Sequence, residues 1–342
     1  MSNTTSKILF ILKKRRLYDM PYEEVFSSGL YNSALFVCDM LNEYGVEAKL
    51  VQVNDNNDID REVHNYKPTD VIIEALWVVP EKFDILHKLH PTVRWYIRLH
   101  SEIPFLSSET IAMDWIYKYE TLVHNNVTIG VNSKKMLQDL HKIGVYNSIY
   151  MPNYYPADKI ADIIPLKKDH IDIGCFGAVR PMKNQLIQAV AAIEFGNSVN
   201  KEIHFHINSG RVERGESALN NIRSLFANQK LHKLVEHGWL GHDLFLLVVA
   251  QMDLGLQVSF NETFNIVAAD FVSQNIPLVG SHEIPWLNNF YKAEETNTTD
   301  IVAKLKFANN VKKYNFQKLN KKNLIELCDQ ARFIWCGYFK KH

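Results

Sequence analysis

Along the chain, short continuous apolar runs alternate with longer amphipathic stretches. Runs of strand length begin at Ile8 (ILFIL), Ala48 (AKLVQV), Val71 (VIIEAL), Val93 (VRWYIRL), Val127 (VTIGV) and Ser148 (SIYM). Between them the spacing predicts helices. Leu30 to Tyr44 sets Leu30, Leu35, Val37, Cys38 and Leu41 largely on one face and stops at Gly45, a usual C-cap residue. Ser133 to Ile143 starts after Asn132 and stops at Gly144. Repeated strand–helix units imply a parallel sheet covered by helices on both faces.

The pattern breaks at MPNYYPADKI (151–160), where two prolines and little periodicity predict a linker; a proline-bearing loop inside one domain is the alternative. A second series follows, with IDIGCF (171–176), EIHFHIN (202–208), LGLQV (254–258) and PLVG (277–280) as strands. Gln317 to Phe339 reads as helical, with Leu324, Ile325, Leu327, Cys328 and Ile334 apolar. The expected domains are residues 1–155, residues 166–316, and a C-terminal helix (317–342) packing back toward the first. Two doubly wound domains in tandem put the ends of two parallel sheets across a cleft, where such folds bind ligands.

A length of 342 residues agrees with two cores rather than one. Hydrophobic residues at 46% and charged ones at 22% exclude a disordered chain. Lys+Arg and Asp+Glu both count 38, so any polyanion must be held by a local patch. No apolar run reaches the roughly 18 residues of a membrane span, and the first residues lack a signal-peptide core. The cysteines Cys38, Cys175, Cys328 and Cys336 are dispersed, with no CxxC pair. That argues against disulfides and a zinc site, and for a cytoplasmic protein.

The common phosphate-binding motifs are missing: there is no GxxxxGK[ST], and no GxGxxG after the first strand. That strand runs instead into KKRRLYDMPYEEVFSSG (13–29), which ends at Ser27-Ser28-Gly29 before a helix. Small residues there turn backbone N–H groups toward an anion, although an ordinary N-cap is the commoner reason for them. GAVRPMKNQ (177–185) also follows a strand and opens a helix, with Arg180 and Lys183 three residues apart. The spacing aims both cations at one ligand, such as a diphosphate leaving group; two solvated charges are the alternative. In SFNETFNIVAADFVSQNIPLVGS (259–281), Glu262 and Asp270 bracket an apolar helical run that ends near Asn275. Eight residues of helix span about 12 Å, enough for one carboxylate to reach a sugar ring while the other reaches a ribose.

Together these residues resemble the retaining glycosyltransferases of the GT-B fold (glycosyl transferases group 1, family 4-like), typified by sucrose and glycogen synthases and bacterial lipopolysaccharide transferases. That group carries G-x-x-R-x-x-K-x-x and then E-x-F-x-x-x-x-x-E-A-x-x-x-G-x-P. Here the matching positions are Gly177, Arg180 and Lys183, then Glu262, Phe264, Asp270, Asn275 and Pro277. Residues 27–50 look like the family's glycine loop, helix and second strand, and VEHGWLG (235–241) like its base-binding turn. Asp270 stands where the family has a second Glu, Asn275 where it has Gly, and the glycine loop is reduced to Ser27-Ser28-Gly29. These departures mark a divergent branch.

The resemblance implies an α/β GT-B architecture of two Rossmann-like domains facing each other across a cleft. It also implies a nucleotide-sugar donor, here a UDP-sugar, with no metal and no further cofactor. Arg180 and Lys183 would neutralise the leaving diphosphate, helped by backbone N–H groups at Phe264, Asn265 and Ile266. Glu262 would hold sugar hydroxyls, Asp270 the ribose, and Trp239 and Leu240 would flank the base. Ser28, Gly29 and Gly177 would complete the donor site. His100, at the end of a predicted strand, stands where the family often places a histidine near the sugar; a buried structural histidine is the other reading.

Lys13, Lys14, Arg15 and Arg16 follow the first strand, in the loop that this fold turns toward the acceptor. Four consecutive cations on a chain of zero net charge suggest an anionic acceptor; a solvated charge run is the alternative. HPTVRWYIRLHSEIPFL (90–106) resembles glycosyltransferase-like proteins of large tailed phages, some of which put glucose or arabinose on hydroxymethylcytosine in DNA. Double-stranded DNA is therefore the expected acceptor. A cell-surface polysaccharide or lipopolysaccharide acceptor, a nucleotide-sugar epimerase on the same fold, and a non-catalytic nucleotide-sugar binding module are the competing readings.

Overall fold

The computed structural model describes residues 6–14, 28–158, 160–161 and 168–340, and every structural statement concerns these. Ser27, Arg15 and Arg16 lie outside them. The chain divides into two compact units, Met1–Tyr155 with Cys328–His342, and Pro156–Leu327.

The first unit is built on β1 (Lys7–Lys13), β2 (Glu47–Val53), β3 (Asp70–Glu74), β4 (Arg94–Leu99), β5 (Val127–Val131) and β6 (Ser148–Tyr150). They form one parallel sheet in the order β2-β1-β3-β4-β5-β6. Central position explains why Ile8 to Leu12 form an unbroken apolar run: each is at most 5% exposed. Alternation sends Leu9 and Ile11 to one face, against α2 (Asp58–Tyr66), α3 (Lys82–Leu89), α5 (Ala112–Glu120) and α6 (Lys134–Lys142), with the single turn α4 (Ile103–Leu106) between α3 and α5 in sequence. Ile8 and Phe10 point the other way, into a cluster with Val37 and Leu41 of α1 (Gly29–Glu43) and with Trp335 and Phe339.

Residues 151–155 are not a solvated linker. Met151, Asn153 and Tyr155 are buried. The carbonyls of Met151 and Pro152 accept hydrogen bonds from the Arg98 guanidinium at 3.1 and 2.9 Å. The prolines break the periodicity, but buried backbone acceptors for Arg98 are what this segment contributes.

The second unit carries β7 (Ile171–Gly174), β8 (Ile203–Asn208), β9 (Lys233–His237), β10 (Leu254–Gln257), β11 (Leu278–Ser281) and β12 (Lys292–Ala293). Its sheet is also parallel, in the order β12-β11-β10-β7-β8-β9. The connecting helices are α7 (Gln185–Val199), α8 (Glu216–Ala227), α9 (His242–Ala250), α10 (Ile266–Ser273) and α11 (Thr298–Val311). Chain order reverses between β7 and β10, the switch point at which doubly wound sheets bind ligands. A last helix, α12 (Lys318–Phe339), begins in the second unit, and its final turns belong to the first.

Candidate functional site

Beyond β7 the chain stays buried through Cys175 and Phe176 and turns at Gly177, whose φ of +107° suits glycine. The Gly177 N–H donates to Asn208 Oδ1 at 2.9 Å. Gln257, the last residue of β10, ties the neighbouring loops together. Its Nε2 donates to the Phe176 carbonyl at 3.0 Å, and its Oε1 accepts from Asn265 Nδ2 at 3.0 Å.

Arg180 precedes and Lys183 closes a short 3-10 turn (Pro181–Lys183), after which Asn184 adopts a left-handed conformation. Asn184 Nδ2 donates to the carbonyls of Val258 and Glu295, and Gln188 Nε2 donates to the Lys183 carbonyl. So held, Lys183 Nζ reaches Glu262 Oε1 at 2.5 Å, both side chains being nearly buried. Arg180 turns elsewhere, its Nε lying 3.1 Å from Glu213 Oε2. The two cations thus stand in one loop but engage different carboxylates.

Glu262 is not on the helix. α10 starts at Ile266, so Glu262 lies in the extended segment before it, and the expected helical rise between Glu262 and Asp270 does not apply. The cap is Asn265, at φ +58°, whose side chain accepts from the Ala268 N–H at 2.9 Å. Phe264 is buried, and its carbonyl accepts from Trp286 Nε1 at 2.8 Å. Asp270 is buried at 2% exposure and pairs with His242 Nε2 at 2.7 Å. His242 opens α9 two residues after Leu240, so this pair brings the half-buried Trp239–Leu240 turn beside α10. Arg211 lies over the Trp239 ring at 4.9 Å and bonds Glu213.

Sequence reasoning missed several of these partners. Glu213, Arg211, Asn184, Gln257 and His242 become visible only once the sheet register is known. Ser259, just past β10, is buried with its hydroxyl unpaired among the described residues.

In the first unit Ser28 caps α1, its hydroxyl accepting from the Tyr31 N–H at 3.1 Å, and Gly29 is the first residue of that helix. Lys13 and Lys14 are exposed at the carboxyl end of β1, beside the β1/β3 reversal. His100 follows β4, with Nε2 at 2.5 Å from Glu74 Oε2 and Nδ1 at 3.5 Å from Asn132 Nδ2. Arg98 NH1 donates to the other Glu74 oxygen at 3.0 Å, and Arg98 and Glu74 are both fully buried. Burial opposes a charge on Glu74, but Arg98 and His100 outweigh it and hold the carboxyl below its usual value. Burial pushes the His100 imidazole toward its neutral form.

No family model matches the chain, and no curated protein matches it. Solved structures do. S. aureus TarM, in complex with UDP, Fondaparinux and alpha-GlcNAc-glycerol, aligns at a TM-score of 0.63 and 15% identity over 80% of this chain and 55% of that one. A sucrose-phosphate synthase from Thermosynechococcus elongatus aligns at 0.68 and 11% identity over 98% of both chains. A UDP-forming trehalose-phosphate synthase from Burkholderia xenovorans gives 0.64 and 10% identity over 98% of this chain and 99% of that one. The fold is GT-B, two α/β units each built on a parallel six-stranded sheet.

Proposed function

We propose that the chain is a retaining glycosyltransferase that moves a sugar from a UDP-sugar to an acceptor hydroxyl. The observation that carries this reading is the Lys183–Glu262 pair at the β7/β10 switch point, beside the capped start of α10. In this reading the pair sets a cation for the donor's diphosphate beside a carboxylate for its sugar. The likeness to the sucrose-phosphate and trehalose-phosphate synthases supports it at the level of fold.

In this reading Lys183 and Arg180 neutralise the departing diphosphate, and Glu262 accepts hydrogen bonds from the sugar hydroxyls. The acceptor hydroxyl attacks on the face from which the diphosphate leaves. The new C–O bond forms as the C–O bond to phosphate breaks, and the hydroxyl proton passes to the leaving oxygen. No protein nucleophile is required, and stabilisation is electrostatic. Asp270, held by His242, would bind the ribose, and Trp239 and Leu240 would flank the base.

For the acceptor we propose an anionic partner, with hydroxymethylcytosine in duplex DNA as the first to assay. Lys13 and Lys14, exposed at the end of β1, support the anionic character. The experiment has two arms. A thermal-shift panel of nucleotide sugars identifies the donor, since ligand that binds only the folded state raises its stability. The protein, that donor and hydroxymethylated DNA are then incubated, and the digested nucleosides are weighed for the added sugar. Binding of no nucleotide sugar would end the transferase reading. Transfer to a glycan or lipid but never to DNA would end the DNA reading alone.

A further inference from the structure

At the amino end of the second unit's sheet, away from Lys183 and Glu262, a histidine cluster takes no part in the proposed transfer. Alternation puts His170 and Asp172 on one face of the β7 segment, and Glu202, His204 and His206 on the same face along β8. The parallel register pairs Asp172 directly with His204. Ile173, Ile203 and Phe205, on the opposite face, are fully buried.

His170 Nε2 lies 3.3 Å and His204 Nδ1 3.6 Å from the same Asp172 Oδ1, and the three donor atoms lie within 4.8 Å of one another. The longer separation exceeds a hydrogen bond. Donors at about 2.0–2.2 Å from a tetrahedral zinc ion stand roughly 3.3–3.6 Å apart, so both separations match edges of that ligand shell. Glu202 Oε1 accepts from His204 Nε2 at 2.8 Å. With the proton on Nε2, the Nδ1 lone pair faces the Asp172 carboxylate, and a cation between them relieves the repulsion.

We propose that His170, Asp172 and His204 bind a zinc ion, with Glu202 orienting His204 and water completing a tetrahedral shell. Two imidazoles and one carboxylate suit zinc better than the all-oxygen shells of magnesium or calcium. His206 Nε2, at 2.9 Å, shares Asp172 Oδ1, while Lys168 bonds Oδ2. The nearby Lys168 ammonium repels a cation and so weakens the affinity. The His170 and His204 rings lie stacked, with centroids 3.7 Å apart. The bound ion ties the entry of β7 to β8 and is remote from the transfer chemistry.

The test titrates zinc chloride into the chelator-dialysed full chain by calorimetry, with cobalt(II) as a spectroscopic probe. The expected result is one equivalent of zinc bound, a tetrahedral cobalt absorption spectrum and a higher melting temperature with zinc. His170→Ala and His204→Ala each weaken binding at least tenfold and remove the thermal shift; Glu202→Gln weakens it severalfold. His170→Gln serves as a milder second variant, and melting without zinc checks that each variant folds. His141→Ala, in α6, leaves zinc binding unchanged. Failure of the wild-type chain to bind zinc saturably would overturn the site, as would equal affinity in the wild-type, His170 and His204 proteins.

Discussion

A lysine and a glutamate 2.5 Å apart and nearly buried make opposite demands on any substitution. Lys183→Ala removes the cation from the proposed leaving group and also strands the Glu262 carboxylate. Turnover is expected to fall about a hundredfold or more, the scale of one lost electrostatic stabiliser, with a modest loss of stability. Glu262→Gln is expected to abolish transfer while leaving binding of free nucleoside diphosphate nearly intact, because that ligand lacks the sugar. Steady-state kinetics and nucleotide titrations on the two variants distinguish these outcomes; equal loss of diphosphate binding in both would refute the division of labour. Asp270 shows why residue type alone gave only part of the site. Its shorter carboxylate is legible in the sequence, but its partner His242, 28 positions away, is defined only by the packing of α9 against α10.

At the scale of elements, most strands were readable because parallel strands are buried on both faces and appear as apolar runs. ILFIL became β1, IDIGCF β7 and LGLQV β10. β9, with Lys233, Glu236 and His237, lies at a sheet edge where one side meets solvent, and its polar residues hid it. The two-residue β12 offers no pattern at all. α10 starts later than the Glu262–Asp270 spacing predicts, because the chain turns at Asn265 into a conformation rare outside glycine. Asn265 accepts that conformation and caps the helix. Asn265→Ala is therefore expected to cost about 1–2 kcal/mol through the lost cap, with roughly 1 kcal/mol more for a left-handed alanine. A denaturant melt measures it, and a neutral effect would show that the cap is dispensable.

Over the whole molecule, the network of Glu74, Arg98 and His100 predicts how the first unit responds to acid. His100 is disfavoured from protonating when folded, so the unfolded chain binds the proton first. Stability is then complete above the imidazole's ordinary value of 6.5 and declines as pH falls below it, by up to about 1.4 kcal/mol per pH unit. Glu74, held below its ordinary 4.5, adds a further loss at lower pH with the same sign. Denaturant melts between pH 7 and 5 should show the first decline, and His100→Gln should flatten it. The same unit depends on Trp335, which is fully buried against Phe10 and Phe339 and donates to the Pro152 carbonyl. Trp335→Ala is expected to cost about 3–5 kcal/mol, read from the same melts; a cost below about 1 kcal/mol would mean that the helix end contributes little to that core.

That dependence has a consequence for the order in which a ribosome delivers the chain. Residues up to Tyr155 emerge first, yet the unit they belong to also needs Cys328 onward. At about 5–20 residues per second, translating the intervening segment takes roughly 10–35 s. Throughout that interval Phe10, Val37, Leu41 and Ile72 lack their Trp335 and Phe339 cover. The nascent protein should therefore complete its second unit before its first, and the waiting apolar face is where a chaperone would bind it.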